Sequence, residues 1–150
     1  MATFAHAKIN RDHMDLSNLI AVSGVSGIYQ LVNTRANGLI LEDLASGKRR
    51  LYPSRKHQFT PLESIAIYTD DGDAEELKLV FQKMLDLYSS TPPVAPNSTP
   101  EQLYAYLAQV LPNYDEDRVY AGDVRKLIKW FTYLHEQGKL TATAADSEEE

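Results

Sequence analysis

The chain has 150 residues, 43% hydrophobic and 24% charged, with a formal charge of −6. That length suits one ordinary domain or two very small ones that pack on each other, and the apolar share is enough to build a core. The absence of cysteine excludes disulfides, thiolate metal sites and a cysteine nucleophile.

The charge is unevenly spread: residues 1–70 hold eight Lys/Arg against six Asp/Glu, and residues 71–150 hold seven against fifteen. The opening MATFAHAKINRDH lacks the apolar stretch and cleavage site of a secretory signal. No run approaches the ~18 apolar residues of a spanning helix. A cytoplasmic protein with no membrane contact is the expectation.

Residues 1–13 carry no hydrophobic period and are expected to form a disordered extension, with the folded part starting at Met14. Leu16, Leu19 and Ile20 share one side of a short helical turn. Ser23-Gly24 and Ser26-Gly27 signal turns, and Ile28 to Val32 a strand. Asn37-Gly38 between two apolar runs is a hairpin signal, because both residues tolerate positive φ. Leu39 to Leu44 is the return strand. Arg49 to Tyr52 is a third strand stopped by Pro53, and Lys56 to Phe59 a fourth. Pro61-Leu62-Glu63 forms one helical turn before a final strand, Ser64 to Tyr68. Short strands, tight turns and a helical turn before the closing strand point to a small, partly open SH3-like β-barrel over residues 14–70.

From Asp73 the period changes to 3.6. Leu77, Val80, Phe81, Met84, Leu85 and Tyr88 make an amphipathic stripe, with Asp73, Glu75 and Glu76 in the first turn, where the helix dipole favours them. A Pro-rich loop follows over 89–98. Thr99-Pro100-Glu101-Gln102 reads as a capping box with proline at the first helical position. The stripe of that helix is Leu103, Tyr106, Leu107 and Val110. After the polar turn at 113–120, Asp123 caps a last helix carrying Val124, Leu127, Ile128, Phe131 and Leu134, ended by Gly138. The fold class is therefore α+β: a small SH3-like β-barrel followed by a helical module of about three helices over 71–138. Residues 139–150 make a disordered acidic tail.

Two surfaces attract attention. Lys48, Arg49, Arg50, Arg55 and Lys56, interleaved with Tyr52, would suit phosphates and a stacked base. The plainer reading is an edge strand whose charges resist edge-to-edge pairing. Trp130 and Tyr133 lie off the last helix's apolar stripe, and Tyr114 and Tyr120 crowd the same region. Tyrosine and tryptophan are favoured at protein interfaces, though the same rings also suit packing of the two modules on each other. Asp115-Glu116-Asp117 lacks the spacing of a calcium loop and is expected to pair with Arg118. No nucleophile elbow, phosphate loop, zinc-helix or dinucleotide motif occurs. No catalytic, cofactor or metal residues are assigned.

Several strings resemble a family of small uncharacterised bacterial proteins found mainly in Bacteroidetes, built from two adjacent domains of unknown function. They are Met14-Asp15-Leu16 leading into Ile20 to Gly24, Gly27 to Leu31, Arg35 to Ile40 with Glu42, and Ser64 to Thr69. Leu111-Pro112-Asn113-Tyr114-Asp115-Glu116-Asp117-Arg118-Val119-Tyr120, then Asp123 and Lys126 to Trp130, complete the match. The resemblance covers roughly residues 14–138 and carries no catalytic or ligand residues. A binding or adaptor protein acting through protein contacts is the leading expectation, a nucleic-acid-binding regulator the alternative, and an enzyme the third.

Overall fold

The computed structural model describes residues 15–140; the expected extension 1–13 and residues 141–150 of the expected tail 139–150 lie outside the described residues, whereas Lys139 bonds to the Leu134 carbonyl and Leu140 is buried. The chain divides into two compact units, Leu16–Ile65 and the segment from Ala66 onward. The fold is α+β as expected: a five-stranded antiparallel sheet, a two-stranded sheet and three α-helices.

The first unit holds β1 (Leu19–Val22), β2 (Ile28–Arg35), β3 (Gly38–Asp43), β4 (Arg49–Pro53) and β5 (Phe59–Pro61) in the order β4-β3-β2-β1-β5. A single 3-10 turn, Leu62–Ser64, follows. Side chains alternate across a strand, so Ile20 and Val22 of β1 share a face with Tyr29, Leu41 and Tyr52, and these five form the buried cluster. Phe59 packs against the cluster from β5.

Three local expectations are corrected here. Leu19 and Ile20 belong to β1, not to a helical turn: Asn18 takes a positive φ of 64°, and β1 gains partners on both sides, β2 and β5. The helical spacing of Leu16, Leu19 and Ile20 was coincidental, and pairing on two edges overrides it. The hairpin expected at Asn37-Gly38 exists, but its two-residue loop is Ala36-Asn37 and neither Asn37 nor Gly38 has positive φ. Gly38 serves close approach instead, because a Cβ there would fall on the Tyr52 carbonyl oxygen of β4. Finally, the strand after the 3-10 turn, β6 (Ala66–Tyr68), does not close the five-stranded sheet. It pairs with β7 (Ala74–Glu76) in the second unit.

That hairpin also corrects the start of the first helix. Ala74, Glu75 and Glu76 are strand residues, and α1 begins at Leu77 and runs to Asp86. The turn explains why. Asp71 accepts hydrogen bonds from the Thr69 hydroxyl (2.6 Å) and the Asp73 N–H (3.1 Å), and Gly72 takes φ +86°. An Asp-Gly turn of this kind closes a hairpin before the helical period begins.

The second unit adds α2 (Pro100–Val110) and α3 (Ala121–Glu136). The Thr99 capping box forms in both directions: the Gln102 N–H donates to Thr99 Oγ1 at 3.2 Å and the Thr99 N–H to Gln102 Oε1 at 3.0 Å. Tyr120, not Asp123, is the N-cap of α3. Asp123 sits in the first turn and accepts from the Tyr120 N–H at 2.9 Å. At the far end Gly138 takes φ +72°. Its N–H reaches the His135 carbonyl (3.1 Å), and the Lys139 N–H reaches that of Leu134 (2.9 Å), the two bonds of a Schellman end. Beyond it Leu140 is buried. The expected stripes of all three helices are buried except Leu85 and Tyr88 at the end of α1. Phe81 of α1 meets Phe131 of α3 edge-on at 5.7 Å. Arg125 donates to the Pro96 carbonyl at 2.8 Å and ties the Pro-rich loop to α3.

Candidate functional site

The loop between α2 and α3, residues 111–120, is stitched to the β6–β7 hairpin by backbone hydrogen bonds. The Asp70 N–H donates to the Asn113 carbonyl (2.8 Å), the Asp115 N–H to the Tyr68 carbonyl (2.9 Å), and Thr69 bridges Tyr114 in antiparallel fashion. The loop is thus joined to the end of β6 through one isolated antiparallel bridge. Fixed backbone fixes the side chains that leave it.

Arg118 is held from two sides. Its guanidinium carbon lies 4.1 Å from the centre of the Tyr68 ring, and its Nε donates to Asp115 Oδ2 at 3.1 Å. Asp115 also accepts from the Asp117 N–H at 2.9 Å. These contacts, the Asp117 N–H first and the Arg118 side chain next, hold the Asp115 carboxyl below the ordinary aspartate range. Asp71 is lowered in the same way, chiefly by the Thr69 hydroxyl. Of the acidic triplet, Asp115 is the member that pairs with Arg118.

Aromatic rings complete the surface. Tyr114 stacks on Tyr104 of α2, with planes 7° apart and centres 5.9 Å apart. Tyr104 donates its hydroxyl to the Val119 carbonyl at 3.0 Å, anchoring the end of the loop. Desolvation, with Glu116 and Tyr104 adding to it, raises the Tyr114 hydroxyl above its ordinary value. Tyr68 and Tyr120 are 47% and 65% exposed, among the most exposed large side chains described. Of the four aromatic residues singled out for protein contacts, Tyr114 packs within this loop and Tyr120 is exposed at its end. Trp130 and Tyr133 lie on α3 and are half-buried. Tyr68, Tyr104 and Arg118 were missed as members of the site. Only an Arg three residues beyond an Asp in the loop hinted at one of them.

The basic stretch lies in the other unit. Lys48, Arg49, Arg50, Arg55 and Lys56 are exposed. Arg49 Nε pairs with Glu42 at 2.9 Å, and the Arg50 guanidinium lies 5.2 Å from the Tyr52 ring centre. Tyr52 itself is a core residue, 7% exposed and 5.4 Å from Tyr29, so its ring is not offered to a base. The alternation of β4 turns it inward, which is the physical reason that part of the nucleic-acid constellation fails. His57 sits beside it, its Nδ1 3.1 Å from the Ser23 carbonyl oxygen. Among the described residues no group of three or more His, Asp or Glu side chains converges as metal ligands, and no helix is long and apolar enough to cross a membrane.

Residues 16–62 match the family described as Domain of unknown function (DUF5606), and residues 65–134 match Domain of unknown function (DUF6852). A solution NMR structure of a Bacteroides vulgatus protein, a Northeast Structural Genomics Consortium target, aligns over 87% of this chain and 94% of its own. The two share 32% identity at a TM-score of 0.69. The chain belongs to this two-domain family. Among curated proteins none matches it. Within the family, the second domain contains the whole Tyr68–Arg118 surface and the first contains the whole basic stretch.

Proposed function

We propose that the protein is a non-enzymatic cytoplasmic adaptor that binds another protein through the Tyr68, Tyr104, Tyr114, Arg118 and Tyr120 surface. The observation that carries this reading is the Arg118–Tyr68 pair on a loop locked by backbone bonds. Tyrosine and arginine are the residues that dominate interface energetics, and rigid rings lose little conformational freedom when a partner docks. Two carboxylates nearby are committed to holding the backbone: Asp115 to Arg118 and the Asp117 N–H, and Asp71 to its own turn. That role suits a recognition surface better than an acid–base pair.

The five-stranded sheet is proposed to curl into a partly open, SH3-like barrel. A chain of ring contacts supports this: Tyr52 of β4 to His57 at 5.7 Å, and His57 to Phe59 of β5 at 6.5 Å. These rings line the short connection that carries the chain from β4, at one edge of the sheet, to β5 at the other. The shift in register of β2 between Leu31 and Asn33 supplies the local bend such curling needs.

Quantitative affinity capture from nuclease-treated lysate, comparing the intact protein with its Tyr68→Ser/Tyr120→Ser variant, tests the function. Partners retained by the intact protein and lost at least tenfold by the folded variant support it. Equal capture by both overturns it.

A further inference from the structure

We propose that the outer edge of β4 is a second docking surface, one that takes an extended acidic polypeptide segment as an additional strand. This proposal is independent of the loop surface on the other unit.

The backbone direction follows from two hydrogen bonds. The Asp43 N–H donates to the Lys48 carbonyl and the Ser54 N–H to the Asn37 carbonyl, both at 2.9 Å. Backbone groups of an antiparallel strand face its neighbour at every second residue. Lys48, Arg50, Tyr52 and Ser54 therefore face β3, and Arg49 and Leu51 turn their N–H and C=O groups outward. β4 pairs with β3 alone, and among the described residues no hydrogen bond reaches those outward groups. The Pro53 carbonyl is occupied by the Lys56 and His57 N–H groups, at 3.1 and 3.2 Å, so the open ladder is confined to Arg49 and Leu51. Leu51 is 37% exposed beside it.

Charge decides the occupant. Lys48, Arg49, Arg50, Arg55 and Lys56 surround this edge. Glu42 and Asp43 are the acidic side chains next to it on β3, and Glu42 is already paired with Arg49. Lys48, Arg55 and Lys56 are exposed, and no ion pair involves them among the described residues. Cations on an edge strand repel a second copy of the same edge, which is how natural sheets avoid self-pairing. The same cations attract an acidic strand, so one device rejects self and selects an anionic partner. An edge of alternating N–H and C=O groups matches another peptide backbone, with main-chain bonds giving affinity and side chains giving specificity. A nucleic acid would use the cations but not the carbonyls, and buried Tyr52 gives it no stacking platform.

The test is NMR titration of the full ¹⁵N-labelled chain with the synthetic peptide EVEVEVEVE, its lysine counterpart KVKVKVKVK, and the oligonucleotide dT20. The expected result is that EVEVEVEVE shifts the Arg49 and Leu51 amides and protects them from exchange, whereas KVKVKVKVK does neither. Leu51→Pro removes an outward N–H and leaves the β3 ladder intact, which edge strands tolerate. It is expected to weaken binding at least tenfold. The triple variant Lys48→Glu/Arg55→Glu/Lys56→Glu, which leaves the backbone untouched, should do the same, and Tyr120→Ser should change nothing. The proposal is overturned if the acidic peptide leaves both amides unmoved, if the triple variant binds it equally well, or if dT20 moves these amides at lower concentration than the peptide does.

Discussion

The Arg118 guanidinium rests 4.1 Å from the centre of the Tyr68 ring, joining the α2–α3 loop to the strand it flanks. Both side chains are about half exposed, so the contact belongs to the solvent-accessible class worth about 0.5–1 kcal/mol. Arg118→Ala and Tyr68→Ala are each expected to lower the unfolding free energy by about that amount. A double-mutant cycle in urea should return a coupling of about 0.5 kcal/mol or more. Strict additivity would show that the two do not interact in solution.

Asp115 and Asp71 each contribute to the acid side of stability. Both carboxyls are held below the ordinary aspartate value of about 3.9 by hydrogen bonds, with Arg118 helping at Asp115. A lowered folded-state pKa contributes stability that is fully present above the unfolded value and is lost as pH falls through the folded one. The hairpin and its attached loop should therefore loosen only below about pH 4. Carbon-detected NMR titration of the carboxyls is expected to find these two protonating after most other aspartates. Titration at the ordinary value would contradict the geometry.

Gly38→Ala should damage the first unit alone. The added methyl falls on the backbone of Tyr52 and Pro53, which has no flexible end to move aside. β4 must shift from β3, disturbing Tyr52 and Leu41 in the core. Amide exchange is expected to accelerate over β3 and β4 and stay unchanged over α1 to α3. Unchanged protection of β4 would mean that the close approach is absent in solution.

Phe131→Ala removes a fully buried ring that meets Phe81, Tyr88 and His135. The cost is expected to be about 3–5 kcal/mol, enough to unfold the helical unit at ordinary temperature or nearly so. Thr99→Ala deletes one arm of the capping box and should cost about 1 kcal/mol. Circular dichroism melts of both variants check the contrast.

The helices were legible because their signals are local. The Thr99 box, the Val124-to-Leu134 stripe and the Gly138 end each sit within a few residues of what they specify. The strands were less so. β1 carries a spacing compatible with a helix, and only its two neighbours, 9 and 41 residues further along at Ile20, decide otherwise. Ser64 to Tyr68 was legible as a strand, but its partner depended on the turn at Asp71-Gly72. The candidate site was half legible. Tyr114 and Tyr120 stand in the distinctive Leu111–Tyr120 string, whereas Tyr68 joins them from 46 residues before Tyr114 through hydrogen bonds no periodicity encodes. Tyr52 was misjudged because a basic run with an aromatic looks the same whether the strand turns that ring inward or outward.

The most direct measurement is photo-crosslinking in living cells with benzoylphenylalanine placed at Tyr120, and at exposed Glu101 on α2 as control. A protein-binding surface on the loop is expected to give a discrete, nuclease-resistant protein adduct from position 120 that is missing from position 101 and lost when Arg118 is replaced by serine. No adduct from position 120, or adducts that vanish with nuclease, would contradict it.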